Sequence, residues 1–176
     1  MKKILLLIFL FLSLNCSNRE KKIKDIVEYW NGREIIFTNN LMLKIIGKDT
    51  VIPNHLNSQY KILRYLDTNK CTECRLKLFD WKIFQKQIDS LKIDINFIFV
   101  IWSNRYEELE KLQQLNDFYI PIYYDTIGEM KKINKISQED EFQTFLLDSN
   151  NHVLGIGDPV NNKAIWKLYK KILLRK

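Results

Sequence analysis

The chain has 176 residues, of which 46% are apolar, and a formal net charge of +7 at pH 7. This apolar content is sufficient for a hydrophobic core and excludes a disordered chain, and the length suits one domain with a modest extension. Lysines are interspersed with acidic residues and form no dense basic run, which excludes a typical nucleic-acid-binding surface and favours an ordinary solvated one.

Residues 1–15 predict a signal peptide. Two lysines precede an apolar run, Ile4 to Leu12, that is too short to span a bilayer as a helix. Cys16 comes shortly after this run and is followed by polar residues, which resembles a bacterial lipoprotein signal, in which the cysteine becomes the acylated first residue. Leu14 and Asn15 depart from the small residues usual in that signal. An ordinary signal peptide that leaves Cys16 unmodified is the alternative.

The next part of the chain predicts a tether, a helix and an N-terminal β extension. Residues 16–32 are polar at first and then place apolar residues at helical spacing. Residues 33–58 contain two short β-type runs, Glu34 to Phe37 and Leu41 to Gly47, followed by a loop. We expect residues 59–176 to form the main domain.

The centre of the chain predicts a strand, a short loop and a helix. The segment Tyr60 to Asp67 alternates and is rich in aromatic and β-branched residues, as is typical of a strand. Residues 75–90 predict an amphipathic helix. Its expected apolar face comprises Leu76, Phe79, Ile83, Gln87 and Ile88. The sequence Cys71-Thr72-Glu73-Cys74 lies between the strand and the helix, and therefore at a helix N-terminus.

Strands and helices continue to alternate after the centre. The nearly continuous apolar run from Ile93 to Trp102 is typical of a strand buried on both faces of a parallel sheet. Further strands are predicted at Ile120 to Tyr124, Phe142 to Leu147 and Val153 to Ile156, and further helices at 105–117, 128–136 and 161–174. This order predicts an α/β fold with a mixed central sheet and helices on both faces.

The order of strand, Cys-x-x-Cys, helix, strand, late hairpin and final helix resembles the thioredoxin fold over roughly the last two-thirds of the chain. The segments Ile120 to Asp125 and Phe145 to Leu154 resemble the extra strand–helix unit and closing hairpin of the TlpA-like and peroxiredoxin-like branches. With the lipoprotein start, the chain resembles the membrane-tethered thioredoxin-like thiol–disulfide oxidoreductases of Gram-negative bacteria. The resemblance implies a three-layer fold, a redox-active disulfide as the sole redox group, and the periplasmic side of the inner or outer membrane.

Three positions depart from the family pattern. Lys70 precedes Cys71 where the family usually has Trp, and Tyr65 stands where many members carry a buried acid that assists proton transfer. Gln143 occupies the place of a cis-proline ahead of Thr144. A cis bond before a residue other than proline costs about 3 kcal/mol, so we expect the Gln143 peptide to be trans.

Thiol–disulfide exchange needs a thiolate and a second thiol that resolves the mixed disulfide. The expected helix N-terminus favours the anion, so we assign Cys71 as the nucleophile and Cys74 as the resolving thiol. Candidate substrate-facing residues are Lys70, Thr72, Glu73 and Gln143. The expected partners are exported proteins with thiols or disulfides and an electron donor or acceptor, with no nucleic acid.

Two alternatives remain open at this point. A structural zinc site needs four ligands, but the two histidines, His55 and His152, are isolated in the sequence, so no metal ligands are assigned. A non-catalytic thioredoxin-fold lipoprotein could instead serve as an envelope binding or assembly module. A peroxidase is less favoured, because no Thr and Arg set that would activate a peroxide accompanies the cysteine pair.

Overall fold

The computed structural model of the protein describes residues 18–67 and 76–174. Its strands are β1 (Met42–Ile45), β2 (Lys48–Asp49), β3 (Tyr60–Asp67), β4 (Ile95–Trp102), β5 (Ile122–Tyr124), β6 (Thr144–Asp148) and β7 (Val153–Ile156). Its helices are α1 (18–30), α2 (Leu78–Asp89), α3 (Tyr106–Leu115), α4 (Glu129–Asn134) and α5 (Lys163–Leu173), with a 3-10 turn at Asp140–Phe142.

The strands form one mixed sheet in the order β2-β1-β5-β4-β3-β6-β7. The central strands β3, β4 and β5 are parallel, and β6 and β7 add an antiparallel hairpin beside β3. Strand β3 pairs along its whole length with β4, from Tyr60 opposite Ile95 to Asp67 opposite Trp102. Strand β3 has a strand on each side, and from Lys61 to Asp67 its residues are buried on both faces, because helices pack on both faces of the sheet.

Helices cover both faces of this sheet, and the sheet separates the core into two layers. On one face α2, α3 and α5 pack on even-numbered residues of β3, such as Ile62 and Leu66. On the other face α1 and α4 pack on Leu63 and Tyr65. The alternation of side chains along a strand produces this division, and the predicted mixed sheet with helices on both faces is confirmed.

Helix α2 buries a different face from the one that the sequence predicted. Leu76 and Ile88 are buried as expected, but Phe79 and Ile83 are 59% and 53% exposed, and Gln87 is exposed as well. The residues of α2 that are buried are Leu78, Trp81, Phe84 and Ile88. The segment has apolar residues on more than one side, and the side occupied by the large rings of Trp81 and Phe84 is the one that packs on the sheet.

The N-terminal extension also differs in detail from the prediction. The segment Glu34 to Phe37 is not a strand, and its one ladder contact is a bridge between Glu34 and His152. Strand β1 pairs instead with β5 and extends the sheet beyond it. Within residues 18–67 and 76–174, no helix has the length and apolar content needed to cross a membrane.

Candidate thiol site at the carboxyl edge of the sheet

Most of the predicted site residues lie outside the part of the chain that the structure describes. These are Cys16, Lys70, Cys71, Thr72, Glu73 and Cys74. The structure does describe both ends of the connection that contains the cysteine pair. Asp67 is the last residue of β3, and Leu76, just before α2, is 1% exposed.

The connection leaves the sheet at an edge where several elements meet. The parallel strands β3, β4 and β5 all end there. Strand β6 begins at this edge with Thr144 opposite Arg64, and β7 ends there with Ile156 opposite Phe145. The carboxyl edge of the sheet is therefore lined by the segment before β6, the loop after β7 and the start of α4.

A buried phenol and a buried carboxylate meet at this edge. The Tyr65 hydroxyl donates a hydrogen bond to Oδ2 of Asp125 at 3.2 Å, and the two residues are 0% and 1% exposed. Asp125 also accepts the backbone N–H groups of Glu129 at 2.9 Å and Met130 at 3.1 Å, at the start of α4. Burial, and then the charge of Asp125, hold the pKa of Tyr65 well above its usual value, so the phenol remains a donor.

Asp125 is a residue that the sequence reasoning missed as part of the site. Family members often carry an acid at the position of Tyr65, whereas in this chain the carboxylate on that face comes from the end of β5. The available signal was the position of Asp125 immediately after a short predicted strand, because parallel strands end at a common edge. Its pairing with Tyr65 depends on the order of the strands.

A second carboxylate lies at the end of β3 itself. Asp67 forms an ion pair with the Lys131 ammonium of α4, and the two side chains are 13% and 17% exposed. Asp67 is four positions before Cys71 in the sequence. The pair therefore puts a cation and an anion together next to the connection that carries the cysteines.

Gln143 is buried at the position where the family has proline. It is 0% exposed, and its side-chain amide donates to the Ser137 carbonyl at 2.8 Å. Its carbonyl accepts the Tyr65 N–H at 2.9 Å, which ties the segment before β6 to β3. No cis peptide occurs in residues 18–67 and 76–174, so the Gln143 peptide is trans, as expected. Its role in facing a substrate stays a prediction.

Arg64 ties together three of the elements around the edge. Its Nη1 donates to Oγ1 of Thr144 at 2.7 Å and to the Asp140 carbonyl at 3.1 Å, and lies 3.8 Å from Oδ2 of Asp158. The side chain is 4% exposed. A cleft of about 590 Å³ opens beside it, with Lys77 and Phe142 among its walls.

The two histidines lie at the opposite edge of the sheet. His55 stacks on Tyr123, and its carbonyl accepts from Asn96 at the start of β4. His152 contacts Asp148 at the β6–β7 turn. The eight-residue strand β3 spans about 23 Å, so a zinc site that combined the cysteine pair with either histidine would have to cross that distance.

Comparison with known proteins supports the fold. No family model matches the sequence, and no curated protein matches it. The thioredoxin domain of a thiol-disulfide oxidoreductase from Bacteroides vulgatus matches with a TM-score of 0.59 at 12% identity, over 81% of this chain and 97% of that one. StoA from Bacillus subtilis matches with a TM-score of 0.50 at 24% identity, over 70% and 90%.

AhpC from Enterococcus faecalis also matches, with a TM-score of 0.56 at 13% identity, over 81% of this chain and 93% of that one. At these identities the likeness shows the fold. The chain therefore has the thioredoxin-like fold, as its sequence predicted, and its structural neighbours include thiol–disulfide oxidoreductases.

Proposed function

We propose that the protein is a lipid-anchored thiol–disulfide oxidoreductase that acts on disulfides of exported proteins on the periplasmic side of a Gram-negative envelope. The observation that carries the proposal is the location of the Cys-x-x-Cys in the sequence. It falls between the end of β3 at Asp67 and the start of α2 at Leu78, in a chain with the thioredoxin-like fold.

The exchange proceeds in two thiol–disulfide steps. The Cys71 thiolate attacks one sulfur of the substrate disulfide, and the other substrate sulfur leaves as a thiolate that takes up a proton. Cys74 loses its proton and attacks the Cys71 sulfur, which releases the second substrate thiol. The substrate gains two electrons and the pair becomes a disulfide. An external dithiol then returns the pair to its reduced form, and the reverse sequence oxidises a substrate.

The surroundings of the site combine opposing charges. In the sequence, Lys70 and Arg75 flank the pair and favour a thiolate, whereas Glu73 opposes it. Asp67 and Lys131 form a pair whose charges largely cancel. The sequence predicts a helix N-terminus beside Cys71, whose partial positive charge would lower the pKa of that thiol; the described helix α2 begins at Leu78.

The proposed anchor is an acylated Cys16. Its support is the basic and apolar leader that precedes it in the sequence. The first described residue after it, Asn18, lies in helix α1. The expected substrates are therefore proteins that reach the outer face of the membrane with thiols or disulfides.

A trapping experiment tests the exchange. Cys74→Ser removes the resolving thiol, so mixed disulfides between Cys71 and its substrates should accumulate in envelope extracts and disappear on reduction. The matched control is the double variant Cys71→Ser with Cys74→Ser. If the single variant traps no more protein than the double variant, the exchange is refuted.

Gln143 favours a second candidate, a non-catalytic binding or assembly module. Its buried side chain donates a hydrogen bond to the Ser137 carbonyl. In the family that the chain resembles, a proline at this position would face a partner chain. The reduction potential separates the candidates. An exchanging pair should fall between about −270 and −120 mV, whereas a structural disulfide lies below about −300 mV.

A further inference from the structure

The N-terminal helix α1 is joined to the domain at its carboxyl end. Trp30 is 3% exposed, and its ring meets that of Phe145 at a centroid distance of 4.8 Å. The chain then continues along β7, where the Gly32 N–H donates to the Val153 carbonyl at 2.9 Å. Because both the ring and the backbone are fixed, the direction of α1 relative to the sheet is fixed as well.

The amino end of α1 is joined to the segment before β6. Arg19 pairs with Glu141 at 3.3 Å, and Lys22 pairs with Glu139 at 2.7 Å. Exposed pairs contribute little stability individually. These two lie one helical turn apart and both contact residues 139–141, so the amino end of the helix lies beside that segment.

The same segment lies beside the thiol site. The Gln143 carbonyl accepts from the Tyr65 N–H, and the Asp140 carbonyl accepts from Arg64. Both donors belong to β3, whose last residue, Asp67, leads into the connection that carries the cysteine pair. The amino end of α1 and the thiol site are therefore at the same edge of the sheet.

The distance from this edge to the proposed anchor is short. One residue, Ser17, separates Cys16 from Asn18, the first described residue of α1. Two residues reach about 7 Å even when fully extended. Helix α1 itself is about 18 Å long from residue 18 to residue 30, so its amino end is the end held at the lipid.

We propose that the domain rests on the phospholipid surface with its carboxyl edge toward the bilayer, so that the thiol site acts on disulfides held close to the membrane. The inference rests on the lipid anchor of the proposed function. The pairing of Glu139 with Lys22 and of Glu141 with Arg19 supports it, because these pairs offset the charge of both carboxylates where they would face anionic head groups.

Photo-crosslinking to lipid tests the orientation in the acylated full chain. A benzophenone amino acid replaces Gln138, which is exposed beside Glu139, and in a matched variant replaces Asn150, which is exposed at the opposite edge. In vesicles of phosphatidylcholine with the anionic lipid phosphatidylglycerol, the Gln138 variant should crosslink to phospholipid and the Asn150 variant should not, because the length of β3, about 23 Å, separates the two edges. Equal yields, or a higher yield at Asn150, would overturn the proposal.

Charge reversal tests the two ion pairs. Arg19→Glu with Lys22→Glu should lower crosslinking at Gln138, and adding Glu139→Lys with Glu141→Arg should restore it. Crosslinking that the reversal leaves unchanged would show that the pairs do not set the orientation. Mass spectrometry of the amino terminus serves as the check on the anchor: an unacylated Cys16 overturns the orientation but leaves the exchange itself to the Cys74→Ser trap.

Discussion

Tyr65 and Asp125 form a buried contact between a phenol and a carboxylate beside the proposed thiol site. In this chain the side chain on β3 is a neutral phenol, and the carboxylate it contacts comes from the end of β5. Three donors converge on Asp125 from Tyr65 and from the start of α4. A buried carboxylate with three donors is well satisfied, so loss of one donor should be measurable.

Tyr65→Phe should lower the free energy of unfolding by about 1–3 kcal/mol, because it leaves a buried carboxylate with one donor fewer. Urea unfolding followed by tryptophan fluorescence measures the change. The control, Tyr119→Phe, alters a residue that is 62% exposed and should stay within about 0.5 kcal/mol. Equal losses in the two variants would contradict the role assigned to the Tyr65 hydroxyl.

The sequence identifies Tyr65 and Gln143 as departures from the family that the chain resembles, but it does not identify their contacts. The contact with Asp125 joins residues sixty positions apart in the chain. It exists because β4 lies between β3 and β5 in a parallel sheet, which brings their carboxyl ends together. Local patterns do not specify strand order, so the contacts of Tyr65 and Gln143 could not be predicted from the sequence.

At the scale of elements, helix α2 shows the limit of periodicity. Its existence follows from the pattern, but its apolar residues lie on more than one side, and the chosen face included Phe79 and Ile83, which are exposed. Lys77 adopts a left-handed conformation with φ of 45°, so the regular helix begins at Leu78. Packing against the sheet then favoured the side with Trp81 and Phe84, which buries more apolar area.

Matched substitutions on α2 test this assignment. Phe84→Asp should destabilise the protein by more than about 3 kcal/mol, because it removes a ring that is 5% exposed and introduces an unpaired charge. Phe79→Asp should change stability by less than about 1 kcal/mol, since that ring is 59% exposed. Thermal or urea unfolding measures both. The reverse ranking would support the face that the sequence predicted.

Helix α1 is an element whose contribution rests on one ring. Trp30→Ala should cost about 3–5 kcal/mol, because Trp30 fills the layer between α1 and β6 and is 3% exposed. The control, Val27→Ala, changes a residue on the same helix that is 44% exposed and should cost much less. A loss at Trp30 no larger than that at Val27, measured by urea unfolding, would mean that α1 contributes little to the fold.

At the scale of the whole molecule, buried phenols predict how stability depends on alkaline pH. Burial raises the pKa of Tyr106 to about 12 and holds the pKa values of Tyr65, Tyr124 and Tyr169 far above the usual value. In the unfolded chain these phenols ionise near pH 10, so above that pH the unfolded state releases protons that the folded state retains. Folding stability should therefore fall as pH rises above about 10.

Each such phenol contributes up to about 1.4 kcal/mol per pH unit in that range. Burial lowers the pKa of Lys61, which makes stability rise with pH below about pH 10.4, but this one lysine opposes five phenols, since burial also raises the pKa of Tyr123. Urea unfolding at a series of pH values from 8 to 11, with tyrosinate absorbance in parallel, checks the slope. Stability that is constant or rises above pH 10 would contradict the burial of these hydroxyls.

The order of strands and helices in the main domain was predictable because each element has its own local pattern. The apolar run that became β4 and the turn between β6 and β7 are examples. The pairing of β1 with β5 was not predictable, because it joins segments that are far apart and short. The candidate cysteine pair was predicted from its spacing and from its place between a strand and a helix, whereas Asp125, Arg64 and Lys131 reach the same edge of the sheet only through the fold.

The most direct test of the account is turnover of a disulfide substrate by the purified protein with dithiothreitol as reductant. The account predicts that the full chain accelerates reduction well above the uncatalysed rate and that Cys71→Ser abolishes the acceleration while the variant remains folded by circular dichroism. A wild-type rate equal to that of folded Cys71→Ser would contradict thiol–disulfide exchange as the activity of this protein.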